Sequence, residues 1–228
     1  MEKRNRPAQT RRRLYFVTSQ KLYEFNRGYK DKTYFCQNGA DFNHFAPATN
    51  IFCDKPDDIR NIKGPVIGYF GAVADWIDWK LIKFLAEKNQ FSIVIIGPLF
   101  KLREFPVKRE NLFYLGEKDY GVLPDYLQCF DVCIIPFLKN KLTSACNPIK
   151  MYEYLSAGKP VITTDLEECR IETIKTSKTY QEFYDNITLC LNNDDAIQRE
   201  KRIHFARQNS WMQRVRSIRS VIEPRLEQ

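Results

Sequence analysis

Through the middle of the chain, short runs of consecutive apolar residues alternate with stretches whose apolar residues recur every three or four positions. VIGYFGA (66–72), FSIVIIG (91–97), NLFYLG (111–116), DVCIIPF (131–137) and PVITTD (160–165) predict strands. Between them, DWKLIKFLAEKN (78–89), LPDYLQCF (123–130) and residues 147–157 predict helices. Such alternation implies right-handed crossovers and a parallel sheet, and nearly unbroken apolar strands fit a sheet covered on both faces. The expected fold class is therefore α/β, a Rossmann-like parallel sheet flanked by helices.

The flanks read differently. LYFVTS (14–19), SQKLYEFNRGY (19–29, opened by Ser19) and TYFCQ (33–37) predict strand, helix and strand, followed by a turn at Asn38-Gly39. Residues 1–45 thus form a separate piece, and residues 46–64, with prolines at 47 and 56, read as a linker. The main domain spans 65–194 and closes on a helix over 180–193, where Phe183, Ile187 and Leu191 recur at four-residue spacing. Within the last segment, 195–228, a single basic helical stretch runs from about 195 to 222.

A net charge of +8 points to an anionic partner: nucleic acid, a phosphorylated substrate or an acidic membrane surface. Much of the excess lies in Lys3, Arg4, Arg6 and Arg11 to Arg13, and in residues 201–219. No nucleic-acid motif accompanies it, so a basic nucleic-acid-binding protein is the weaker alternative. The seven cysteines show no C-x-x-C pair and no zinc spacing with histidine, which implies reduced thiols and no metal site. His44 and His204 read as surface residues. No apolar run approaches the ~20 residues of a membrane span or the core of a signal peptide. The expectation is a cytoplasmic chain whose basic start is drawn to the anionic inner face of the membrane.

The candidate chemistry lies in NPIKMYEYLSAGKPVITTD (147–165). Asn147 is a favoured N-cap, Pro148 suits the first helical position, and Gly158 suits the stop, with Lys159-Pro160 blocking continuation. A helix start after strand 131–137 lies at the carboxyl edge of the sheet, where free N–H groups and the positive dipole end suit a phosphate. Lys150 and Glu153 share one helical face. One can neutralise phosphate, and the other can accept hydrogen bonds from two neighbouring ribose hydroxyls. A capped helix with an exposed Lys–Glu pair explains the same residues without any ligand. The glycine loop GYFGAV (68–73) lacks a full G-x-G-x-x-G and adds little.

The same stretch resembles the P-x-K-x-x-E-y-l-A-x-G-x-P-V-V segment of GT-B glycosyltransferases in the group-1, family-4-like branch. TSQKLYE (18–24), NGADFNHF (38–45), residues 67–86, VIIGP (94–98), residues 123–137 and NSWMQRVRSI (209–218) are similar to other elements of that family, in order. The resemblance implies the C-terminal, donor-binding domain plus a remnant of the acceptor-side domain, most of which is missing, so the helix around Trp211 would have little to pack on. It implies transfer of a sugar from a nucleotide-sugar donor to a carbohydrate or lipid-linked acceptor hydroxyl, without metal or cofactor and with retention, in cell-surface polysaccharide synthesis. A truncated or split transferase that needs a separate acceptor-domain partner is the alternative.

By position, the resemblance places Glu153 on the ribose and Asn147, Pro148, Ile149 and Lys150 along the diphosphate and sugar. Gly71 would let the backbone approach the phosphates, and Lys118 to Tyr120 would lie near the base. The family's first motif glutamate falls at Ala145, and its usual Arg and Lys fall about at Ala72 and Ile77, leaving Lys150 or Lys101 as diphosphate cations. No catalytic base is identified.

Overall fold

The computed structural model describes residues 13–49 and 55–226. At the start, β1 (Tyr15–Val17) and β2 (Thr33–Phe35) pair in parallel, joined by α1 (Gln20–Phe25) and a 3₁₀ segment over Arg27–Lys32. Ser19 caps α1 by accepting from the Leu22 N–H, but the helix ends at Phe25, earlier than the sequence pattern implied. Two short helices follow, α2 (Phe42–Phe45) and α3 (Asp57–Arg60). Within the segment read as a linker, Ala48 and Ile59 are buried in the main core.

That core surrounds six parallel strands: β3 (Val66–Phe70), β4 (Ser92–Ile96), β5 (Leu112–Tyr114), β6 (Val132–Ile135), β7 (Val161–Thr164) and β8 (Ile174–Ser177). Every residue of β3, β4 and β6 is buried, as their unbroken apolar runs require. The spatial order is β5-β4-β3-β6-β7-β8. The chain therefore winds outward from β3 in one direction, crosses back after β5, and winds outward from β6 in the other. Right-handed crossovers put α4 (Trp79–Glu87) on one face and α6 (Ile149–Ser156) on the opposite one, while the short α5 (Leu123–Leu127) leads into β6. The boundary between β3 and β6 is the switch point, and its carboxyl edge opens the crevice in which such sheets hold ligands.

α7 (Tyr180–Asn193) packs beside α4, where the Tyr180 hydroxyl donates to Asp78, whose carboxylate also caps α4 through the Leu81 N–H. The basic C-terminal stretch is two helices, α8 (Ala196–Gln208) and α9 (Trp211–Leu226), rather than one. The break has a long-range cause: Ser210 bridges Ala40, and the Trp211 N–H donates to the Ala40 carbonyl at 3.0 Å. Asn38-Gly39 is accordingly no turn. It lies against residues 209–211, and a Cβ on Gly39 would lie 2.6 Å from the Asn209 carbonyl oxygen. β8, which the apolar pattern did not indicate, adds an edge strand with Ile174 as its only large apolar residue.

α8 is fastened to the end of α6. Arg202, only 6% exposed, donates to both Asp194 carboxylate oxygens at 2.7 and 2.6 Å and to the Gly158 carbonyl at 2.8 Å. Truncating one partner of a buried pair is costly, although Asp194 is partly solvated. Arg202→Ala is expected to lower unfolding free energy by about 2–4 kcal/mol, read as a lower urea midpoint; an unchanged midpoint would contradict this role.

Candidate functional site

Three buried tyrosines and a glycine set the position of α6. The Tyr154 hydroxyl accepts from the Phe70 N–H at 3.0 Å and donates to the Phe70 carbonyl at 3.4 Å, tying the middle of the helix to the end of β3. The Tyr69 hydroxyl donates to the Ala72 carbonyl and shapes the loop after β3, while Tyr152 donates to the Asn147 side chain. At the far end, Gly158 has φ +68°, and its N–H donates to Leu155 while that of Lys159 donates to Tyr154. These paired bonds are a Schellman stop, and they need a residue that tolerates the left-handed conformation.

The helix start departs from the sequence expectation. Pro148, not Asn147, occupies the N-cap position, and Ile149 is the first helical residue. Asn147 is buried, and its side-chain Oδ1 accepts from the Asn38 N–H at 2.9 Å. Asn38 returns a bond through its own amide to the Asn147 backbone carbonyl at 2.6 Å. The cap is thus exchanged for a tie to the N-terminal piece, and Arg214 on α9 extends it by donating to the Asn38 carbonyl. The first-turn N–H groups of Ile149 and Lys150 remain available by position.

Beside this start lies a cleft of about 450 Å³ at the carboxyl ends of β3 and β4. Of the residues singled out from the sequence, Gly71, Lys118, Tyr120, Ile149, Lys150 and Glu153 line it; Asn147 and Pro148 do not. Gly71 has φ +130°, and a Cβ there would lie 2.9 Å from the Lys150 Cε and 3.2 Å from its Nζ. The bare backbone thus makes room for the ammonium. Lys101 lies outside the cleft lining, over the Phe100 ring, and Ile77 is a core residue bridged to Phe137.

The Lys150 ammonium sits 5.2 Å from the centre of the Tyr69 ring and 4.9 Å from that of Phe137. Among the described residues it has no carboxylate within ion-pair distance. Burial lowers its pKa, with Glu153 acting in the opposite sense. Glu153 is 8% exposed, and burial pushes its carboxyl up to about 7 against the pull of Lys150 and the Tyr120 hydroxyl. Burial, then Glu153 and Asp41, push Tyr120 up to about 12, so its phenol stays a neutral donor. Lys118 is committed to Asp58 at 2.7 Å, which also accepts from the Tyr126 hydroxyl.

Sequence reasoning missed two features. Glu117 adds a carboxylate to the cleft lining next to the expected Lys118 to Tyr120 loop, and His44, read as a surface residue, stacks on Tyr120 with ring centres 4.6 Å apart. The NGADFNHF stretch could have signalled the second, since Asp41 caps the turn that carries His44. Among the described residues no three metal-ligating side chains cluster, and no helix is long and apolar enough to cross a membrane.

A buried carboxyl with a raised pKa has a definite linkage sign. Its neutral form is favoured in the folded chain, so stability is full below the unfolded value of 4.5 and falls as pH rises through about 7. Glu153→Gln removes that loss. The variant is expected to match the parent near pH 4 and to exceed it by about 2–3 kcal/mol above pH 8, measured by denaturant melts across pH. Equal stability at pH 8 would show that the carboxylate is not desolvated.

Comparison with known proteins is consistent with this geometry. The family profile described as "Glycosyl transferases group 1" matches residues 64–193. The "Putative teichuronic acid biosynthesis glycosyltransferase TuaH" of Bacillus subtilis (strain 168) is 27% identical over 202 residues, covering 80% of this chain and 48% of that protein. The chain thus spans about half the length of this curated relative. A glycosyltransferase from Rickettsia africae ESF-5 superposes with a TM-score of 0.75 at 14% identity, over 94% of this chain and 64% of that one. Anabaena HepE, solved in complex with UDP and glucose, superposes with a TM-score of 0.69 at 16% identity, over 92% of this chain and 62% of that one. The profile match takes in the whole six-stranded sheet and the cleft on its carboxyl edge, and by it the chain belongs to the family Glycosyl transferases group 1.

Proposed function

We propose that the cleft binds the nucleotide-sugar donor of a glycosyltransferase, and that the single observation carrying this is Lys150: an ammonium set over the Tyr69 and Phe137 rings beside Gly71 and the free first turn of α6, with no ion-pair partner among the described residues. A cation held off its own carboxylates favours an incoming anion. In this reading the diphosphate meets Lys150 and the Ile149 and Lys150 amides, where the helix dipole also favours negative charge. The ribose hydroxyls donate to Glu153, and the base lies toward Glu117 to Tyr120. HepE has been solved with UDP and with UDP-glucose, which supports a nucleotide in the equivalent fold.

The reaction joins an acceptor hydroxyl oxygen to the anomeric carbon as the bond from that carbon to the diphosphate oxygen breaks, the hydroxyl proton passing to the departing diphosphate. Negative charge grows on the leaving diphosphate, and Lys150 with the helix start offsets it without reorganising. Transfer without a metal ion and with retention follows from the family resemblance. Similarity to a protein named for teichuronic acid biosynthesis supports a cell-surface polysaccharide as the product and a carbohydrate or lipid-linked acceptor. Ala145 stands where the family's first motif glutamate belongs, so contact with the transferred sugar differs here.

A second reading follows from the N-terminal piece: binding without transfer until another polypeptide segment supplies the acceptor side. Among the described residues the β1–β2 pair is a parallel sheet of two strands with Phe25, Tyr29 and Phe35 exposed, and α9 contains no buried residue. Parallel strands are normally covered on both faces.

Calorimetric titration with UDP, GDP and ADP tests donor binding. One nucleotide is expected to saturate the chain, and Lys150→Ala to weaken it at least about tenfold, as loss of a charge-assisted contact of about 1.5–3 kcal/mol implies. Absence of binding by folded chain would contradict the proposal. Sugar transfer by the purified chain alone would reject the second reading.

A further inference from the structure

Two aromatic residues line the cleft, the buried Phe70 and the half-exposed Tyr120. Tyr120 lines the cleft and is 51% exposed. The His44 imidazole stacks on one face, with centres 4.6 Å apart and planes 15° from parallel, and Phe45 meets the ring edge-on at 5.5 Å. His44 on α2 covers that face, and the half-exposed ring lines the cleft with what remains uncovered.

His44 does more than stack. Its Nε2 lies 2.9 Å from the Tyr120 backbone carbonyl, which can only accept. Nε2 therefore carries the hydrogen, which fixes the tautomer of the neutral ring. The imidazole thus grips the residue twice, by ring and by backbone. Its own placement is set locally, 76 residues before Tyr120 in sequence, by the Asp41 cap on the His44 N–H and by Phe45, which is fully buried and stacks on Phe70.

We infer that His44 is a positioning residue that holds Tyr120 as a rigid stacking platform for the nucleobase, so that base recognition depends on a side chain from outside the six-stranded domain. This rests on the nucleotide-binding reading of the cleft. Stacking suits a base because any base offers a π-face, and its strength depends on the platform being ordered before the ligand arrives. The diphosphate is held elsewhere, on Lys150 and the start of α6, so the two parts of the ligand report separately.

The test is titration of the full chain and of His44→Ala, His44→Phe and Tyr120→Ala with UDP and with inorganic pyrophosphate, with thermal melts confirming that each variant folds. Tyr120→Ala is expected to weaken UDP at least about tenfold, within the range for losing one stacked base. His44→Ala is expected to weaken it about three- to tenfold, and His44→Phe, which restores a ring but not the hydrogen bond, to recover part of the loss. Pyrophosphate affinity should be unchanged in all three. Equal losses for both ligands, or UDP binding unaffected by His44→Ala, would overturn the inference while leaving nucleotide binding intact. Failure of the parent chain to bind either ligand would overturn both.

Discussion

The seating of α6 on the end of β3 is the constraint on which the rest depends. A buried tyrosine hydroxyl satisfies both backbone groups of Phe70, and a glycine stop with a buried arginine behind it fixes the helix's other end. With the middle and far end held, the first turn borders the cleft at the carboxyl ends of β3 and β4, next to the switch between β3 and β6. Buried polar groups of this kind add little net stability when satisfied, but leaving one unsatisfied is expensive, so alternative placements of the helix are penalised.

The same seating makes the cleft electrostatically tense. Lys150 and Glu153 lie on one helical face in an environment that disfavours charge on either, and each moves the other's pKa toward ionisation only in part. A ligand that brings a diphosphate to the lysine and hydroxyl donors to the glutamate would relieve both. Stability of the free chain is thereby traded for readiness to bind, a common arrangement at functional sites.

What was legible in the sequence was what local chemistry decides. Gly158 could be read as a helix stop because its left-handed backbone and the two bonds around it involve only neighbouring residues. The buried strands could be read because both faces of β3, β4 and β6 are covered, which leaves their apolar runs unbroken. Asn147 misled for the opposite reason: its side chain has the chemistry of a cap, yet a backbone N–H 109 residues away takes it. The division of α8 from α9, the packing of Asn38-Gly39 against residues 209–211 and the His44–Tyr120 stack likewise depend on partners distant in sequence. β8 went unseen because a mostly polar edge strand carries almost no apolar signal.

The most direct measurement is a crystal structure of the chain grown with UDP. The expected result places the diphosphate within hydrogen-bond distance of the Lys150 Nζ and the first-turn amides of α6, with the ribose hydroxyls on Glu153. A nucleotide bound away from the cleft, or bound in it with the diphosphate turned from Lys150, would contradict the claim that the seating of α6 creates a donor site.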